Sequence, residues 1–145
     1  MKKDIQPPEV KDIALAIVRE PARPDTLVQD ISRAASQGEW NVYILNLKQE
    51  FIEGVLVTSK GYGFYKGKDV KTSTLRHFLD TIPSMGYARV EPIVENLFGL
   101  NNEYWVSFFI NKVMYDKKYV FLAESVREEN LIQIPLLNKR GVMIR

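Results

Sequence analysis

The chain has 145 residues and a mass of 16.8 kDa, enough for one domain with a sizeable core, and 46% hydrophobic against 26% charged residues sets it apart from disordered, collagen-like and coiled-coil sequences. It has no cysteine and a single histidine, His77, which excludes a disulfide framework and leaves a structural zinc site without a ligand set. No metal or cofactor is expected, and a reducing, cytoplasmic setting fits best; the net charge of +2 does not announce a polyanionic partner.

Residues 1–9 carry Pro7-Pro8 and read as an extended lead-in. After Met1-Lys2-Lys3 come Asp4, Pro7, Pro8 and Glu9, and the apolar run Ile13 to Val18 is far shorter than the ~20 residues a bilayer requires, so neither export nor a membrane span is expected. In Val10 to Glu20 the bulky Ile13, Leu15 and Ile17 alternate with Ala14 and Ala16, the period of a strand with one bulky and one slim face. Pro21 and Pro24 end it. Asp25 then suits an N-cap, Leu27, Val28, Ile31, Ala34 and Ala35 share a helical face, and Gly38 suits a C-terminal cap, which predicts a short helix over 26–36.

Trp40 to Lys48 and Val55 to Lys60 are rich in strand formers and flank a polar turn, so they are expected to pair antiparallel. Gly61, Gly63 and Gly67 interrupt an aromatic and lysine segment, with a turn at Lys66-Gly67-Lys68. Next, Thr72 or Ser73 can cap a helix whose stripe is Leu75, Phe78, Leu79 and Ile82, stopped by Pro83; this is the clearest predicted helix, 73–82. From Tyr87, period two returns, with Ala88, Val90, Pro92 and Val94 on one side, Arg89, Glu91 and Glu95 on the other, and Ile93 the exception. Pro92 cannot donate to a ladder, so this strand belongs at an edge or a bulge.

Tyr104 to Ile110 and Val113 to Leu122 are predicted to form a hairpin about Asn111-Lys112, although the second position would prefer glycine. Ser125 to Glu128 has capping-box form, and Leu131 to Leu136 with Val142 to Ile144 predicts a last hairpin about Asn138 to Gly141. The expected architecture is a single α+β domain over 1–145, mainly antiparallel. It has about seven strands in a curved sheet or partly closed barrel, with helices at 73–82 and 26–36 and a variable connection over 21–38.

Catalytic constellations are sparse. A Ser-His nucleophile would have to use His77, which is expected on a surface or boundary, and Glu91 with Glu95 reads as a solvated sheet face. Gly61 to Gly67 lacks the strand, tight turn and helix succession of a dinucleotide loop and the Gly-Lys-Ser/Thr of a phosphate loop. Charge departs from background in one stretch, Lys60 to Arg76, where five cations stand against Asp69 for a net of +4, leaving −2 for the remainder. Lys60, Lys66, Lys68, Lys71 and Arg76 are interleaved there with Tyr62, Phe64 and Tyr65, a pattern that suits RNA or another polyanion; the bland alternative is a solvated loop with its rings in the core. Trp105 and its aromatic neighbours read as core. A small-molecule site lined by Tyr62, Tyr65, His77 and Glu103, and a structural homo-oligomer, are the competing readings.

Taken together, Trp40-Asn41-Val42-Tyr43-Ile44, Val55 to Tyr62, Lys71 to His77, Leu100-Asn101-Asn102-Glu103, Pro135-Leu136-Leu137 and Lys139 to Val142 give the chain a further identity. It resembles a family of short bacterial proteins that often carry the automatic label phenylalanyl-tRNA synthetase alpha subunit. The resemblance spans nearly the whole chain apart from about 21–38 and brings no established site residues. The label does not agree with the chemistry. The arginine-bearing motif that holds ATP phosphates and the later glycine-rich motif ending in arginine are both missing, so an aminoacylating subunit is not expected, while an accessory role near translation is compatible.

Overall fold

A computed structural model describes residues 8–21 and 39–145. The helix predicted over 26–36 lies outside the described residues. Among them are ten strands in two five-stranded antiparallel sheets and two short 3-10 turns; no α-helix is present there, and the sheets do not close into a barrel. The α+β expectation is therefore corrected to a mainly β architecture. None of the described helical segments is long and apolar enough to cross a membrane.

The first sheet is ordered β6-β2-β1-β10-β9, with β1 at Ile13–Glu20, β2 at Glu39–Asn46, β6 at Gly86–Pro92, β9 at Ile132–Ile134 and β10 at Lys139–Ile144. In the second, β3 (Ile52–Tyr65) pairs on one side with β7 (Asn101–Ile110), which pairs with β8 (Val113–Phe121). The other side of β3 is shared by β5 (Leu75–Ile82) and β4 (Lys68–Lys71). The core lies between the sheets. Ile13, Leu15 and Ile17 of β1 meet Val55 and Val57 of β3 and Tyr104, Val106 and Phe108 of β7 there, whereas the slim Ala14 and Ala16 pack on the opposite face with Leu45, Ile134 and Leu137. The alternation of bulky and slim residues in β1 thus divides two hydrophobic layers.

Four expectations met a different outcome. Residues 75–82 form β5, because the backbone edge of β3 over Val55 to Ser59 is completed by it and every such pairing satisfies groups that would otherwise need water. Leu75 and Phe78 of the expected helical stripe are exposed, and a register shift near Val55 with Asp80 at φ 59° breaks the period of two, which hides the strand from the sequence. The Trp40 to Lys48 and Val55 to Lys60 strands do not pair; they sit in opposite sheets. Asn46, fully buried, explains the corner between them, since its amide donates to the carbonyls of Glu50 (2.9 Å), Ile82 (3.2 Å) and Pro83 (3.0 Å). In the last hairpin the reversal comes earlier than expected, over Pro135 to Asn138, with Leu136 at φ 67° and Asn138 at φ 52°. Ser125 makes no cap: the following 3-10 turn, Glu128–Asn130, has Arg127 at its N-terminal cap and no side-chain cap bond.

Other expectations hold. The β7 and β8 hairpin turns at Asn111-Lys112, both at positive φ (49° and 65°), the mirror-image turn that matches strand twist, with Lys112 where glycine would be less strained. Lys66 (φ 52°) and Gly67 (φ 79°) make the same kind of turn between β3 and β4. Strand β6 is an edge of the first sheet, and it also carries a bulge at Val90.

A polar network ties the ends of three strands on the outer side of the first sheet. The Glu20 carboxylate accepts from Asn41 Nδ2 (2.9 Å), from the Tyr43 hydroxyl (2.7 Å) and from the Lys139 ammonium. Burial by itself would raise the Glu20 carboxyl, but the hydrogen bonds from Lys139, Tyr43 and Asn41 outweigh it and hold the group below the usual carboxylate range. Tyr43 shifts the other way, to about 12, through burial and then its bond to Glu20. A lowered carboxyl contributes stability that is present above its unfolded pKa and lost as pH falls through the folded one. Urea midpoints of wild type and Glu20→Gln should therefore differ at neutral pH and converge between about pH 4.5 and about pH 2. A gap of unchanged size at acid pH contradicts this assignment.

Candidate functional site

Residues directly opposite one another in antiparallel strands share a face, so the registers place the side chains of the second sheet. Its outer face carries successive cross-strand rows. Glu53, Phe109 and Met114 form one; Phe78, Leu56, Ser107 and Asp116 the next; Arg76, Thr58, Trp105 and Lys118 a third; then Lys60, Glu103 and Val120. Tyr62 with Lys71, and Phe64 with Asp69, continue the face onto the β3 and β4 ribbon, which leaves the sheet beyond the Tyr62 and Asn101 pair. Large apolar side chains on this face are open to solvent: Phe64 is 70% exposed, Phe78 66%, Met114 53%, Trp105 44% and Phe109 39%. The inner face of β3 and β7 is core.

This alternation divides the residues singled out in the sequence. Lys60, Tyr62, Lys71 and Arg76 lie on the outer face; Tyr65 and Lys68, paired with each other, lie on the opposite one, and Lys66 is in the turn with its ammonium 5.4 Å from the centre of the Tyr65 ring. Tyr65 is half-buried against Gly99 of the 3-10 turn Glu95–Gly99. Lys60 is paired with Glu103 at 3.5 Å, while none of the ion pairs among the described residues involves Lys66, Lys68, Lys71 or Arg76. The seven cationic and aromatic residues are thus spread over two faces and a turn.

Nor do Tyr62, Tyr65, His77 and Glu103 line one pocket. Tyr62 meets Glu103 on the outer face (hydroxyl to Oε1, 3.4 Å), but His77 points inward and bonds Glu91. Glu91 was expected on a solvated surface with Glu95. The Val90 bulge sets two residues of β6 opposite Val42, whose side chain is core, and so turns Glu91 between the sheets, while Glu95 falls in the 3-10 turn and accepts from Trp40 Nε1 at 2.9 Å.

Around Glu91 the sheets bring together Ser59 of β3, His77 of β5 and Tyr104 of β7. Ser59 Oγ donates to Glu91 Oε1 at 2.7 Å, His77 Nε2 lies 2.7 Å from the same oxygen, and the Tyr104 hydroxyl is 3.5 Å from Oε2. A carboxylate oxygen accepts, so this 2.7 Å approach is a hydrogen bond in the tautomer that places the hydrogen on Nε2. Burial and then the Glu91 charge drive the Tyr104 phenol far above its ordinary range, leaving it a neutral donor. The set is not a nucleophile relay. In a serine triad the hydroxyl bonds the imidazole and the carboxylate lies behind it, whereas here serine and histidine both bond the carboxylate. No group of three or more residues able to hold a metal ion occurs among the described residues.

Sequence reasoning missed Ser59, Glu91, Tyr104 and the outward placement of Trp105. A signal existed for Trp105: in Tyr104 to Ile110 the polar Ser107 shares its alternation with Trp105 and Phe109, marking that side as the wet one. For Glu91 the pointer was Pro92, which promised an edge or a bulge but not which residue the bulge would turn. Comparisons of the chain with protein-family models, with curated proteins and with solved structures found no match.

Proposed function

We propose that this protein is a non-enzymatic interaction module that works through the outer face of its second sheet, with a second copy of the same chain as the partner. The observation that carries this reading is the set of exposed Phe78, Trp105, Phe109 and Met114, with the half-buried Leu56 among them, on adjacent rows of one sheet face. An apolar centre with aromatic, methionine and arginine residues and a charged rim is the composition of protein interfaces. The charges favour a protein over a polyanion: Lys60, Lys71, Arg76 and Lys118 are balanced by Glu53, Asp69, Glu103 and Asp116. Both signs on one face also permit a two-fold, self-complementary contact. Sedimentation equilibrium of the wild-type chain should show a reversible dimer at micromolar to millimolar concentration; a monomer throughout this range overturns the reading.

A second reading rests on the β3 and β4 ribbon, where Lys66, Lys68 and Lys71 outnumber Asp69 beside the exposed Phe64. Such a tip suits single-stranded RNA, with phosphates on the lysines and a base on the ring. For that binding, log K should fall against log salt with a slope of roughly −0.7 per phosphate neutralised, and replacing the three lysines by glutamine should flatten it by about two units. Fluorescence anisotropy with a short labelled RNA at low ionic strength reads both. An affinity indifferent to salt or to the triple substitution removes this reading and leaves the protein partner.

A further inference from the structure

Glu91 presents its two oxygens unequally. Oε1 accepts two short bonds, from Ser59 and His77, each at 2.7 Å, while the hydroxyl facing Oε2 is 3.5 Å away, outside the ordinary range of about 2.5 to 3.0 Å for such bonds. A carboxylate has about four acceptor positions, so Oε2 retains capacity for a strong donor. Glu91 also lines a cavity of about 160 Å³ at the corner where β3, β5 and β6 meet, walled by Leu75, Leu97 and Tyr104 and edged by Lys60, Thr72 and Asn102. At about 30 Å³ per water in the liquid, that space matches roughly five waters or a chain of a few carbons.

The chemistry of the donor follows from charge and shape. The Lys60 ammonium, the nearest lysine in sequence to Ser59, is turned outward to Glu103 at 3.5 Å, so the carboxylate has no lysine or arginine as its ion-pair partner among the described residues. Glu91 is only partly exposed and its one salt-bridge partner among the described residues is His77, so a cation that enters is bound to it through a charge-assisted bond. Beside the polar edge, Leu75 and Leu97 give the cavity an apolar side that suits methylene groups. We propose that the Glu91 corner is a binding site for a small primary amine in its ammonium form, the nitrogen on Oε2 and a short aliphatic chain between Leu75 and Leu97. This site is separate from the outer face and does not depend on what that face binds.

The test is a titration of wild-type protein with n-butylammonium chloride, followed by the methyl NMR signals of Leu75 and Leu97, beside n-butanol and sodium butyrate as uncharged and anionic chains of the same length. The amine is expected to give saturable shifts with a Kd on the order of 1 mM, and the other two no saturation in that range. Glu91→Gln is expected to weaken the amine at least about tenfold. The wild-type comparison is decisive even where Glu91→Gln fails to fold. Absence of saturable shifts with the amine, equal binding of butanol, or a folded Glu91→Gln with undiminished affinity overturns the proposal.

Discussion

Gly141→Ala is expected to remove at least about 3 kcal/mol of folding stability, the upper part of the range for overpacking, and so a large share of the 5 to 15 kcal/mol typical of a domain. Gly141 is buried in β10, opposite Val18 of β1 and Ile132 of β9. A Cβ there would lie 2.3 Å from the Ile17 carbonyl oxygen and 2.9 Å from Val18 Cα. Both contacts are backbone, so no rotamer relieves them, and the two strands must separate or twist. Gly67→Ala is the control with the opposite character. Its Cβ would meet nothing within 4 Å, but φ is 79°, so only local strain of about 1 kcal/mol is expected. Urea unfolding of both variants reads the difference; a Gly141→Ala protein as stable as the Gly67→Ala one would mean that β1 and β10 are not in this register.

Trp105→Ala should weaken self-association by at least about 30-fold, the equivalent of 2 kcal/mol at a central aromatic anchor. Trp105 stands between Thr58 and Lys118 in its row, with Arg76 beyond Thr58, near the middle of the exposed face. The residue is 44% exposed in the single chain, so the truncation should shift the unfolding midpoint only modestly while the dimer is lost. Sedimentation measures the association and urea unfolding the stability. Dimerisation at wild-type strength by a folded Trp105→Ala protein would exclude this face as the interface.

The antiparallel character, the β1 strand with its bulky and slim sides, the β7 and β8 hairpin and the edge position of the Pro92 strand were all legible in the chain. Each is a local property, written in alternation or in turn chemistry. Residues 75–82 were not legible, because their apolar spacing of three and four fits a helix stripe, while the cause of the strand is the open edge of β3, distant in sequence. The separation of β2 from β3 was hidden for a similar reason: the corner is held by Asn46 reaching carbonyls at Ile82 and Pro83, more than thirty residues on. Of the candidate sites, the basic and aromatic stretch was visible as composition, but strand alternation then sent Tyr62 and Tyr65 to opposite faces. The Glu91 cluster needed three strands of the second sheet and a bulge in the first, none of which a spacing rule encodes.

The central claim is that the face carrying the exposed Phe78, Trp105, Phe109 and Met114 and the half-buried Leu56 is where this protein meets its partner. Its most direct test is an isotope-filtered NOE experiment on a dimer mixed from labelled and unlabelled chains. Cross-peaks are predicted between the methyl groups of Leu56 and Met114 in one copy and the rings of Trp105, Phe78 and Phe109 in the other. Intermolecular contacts confined instead to β6 or β9, the edge strands of the first sheet, or no intermolecular contact at concentrations where wild-type chain sediments as a dimer, would contradict it.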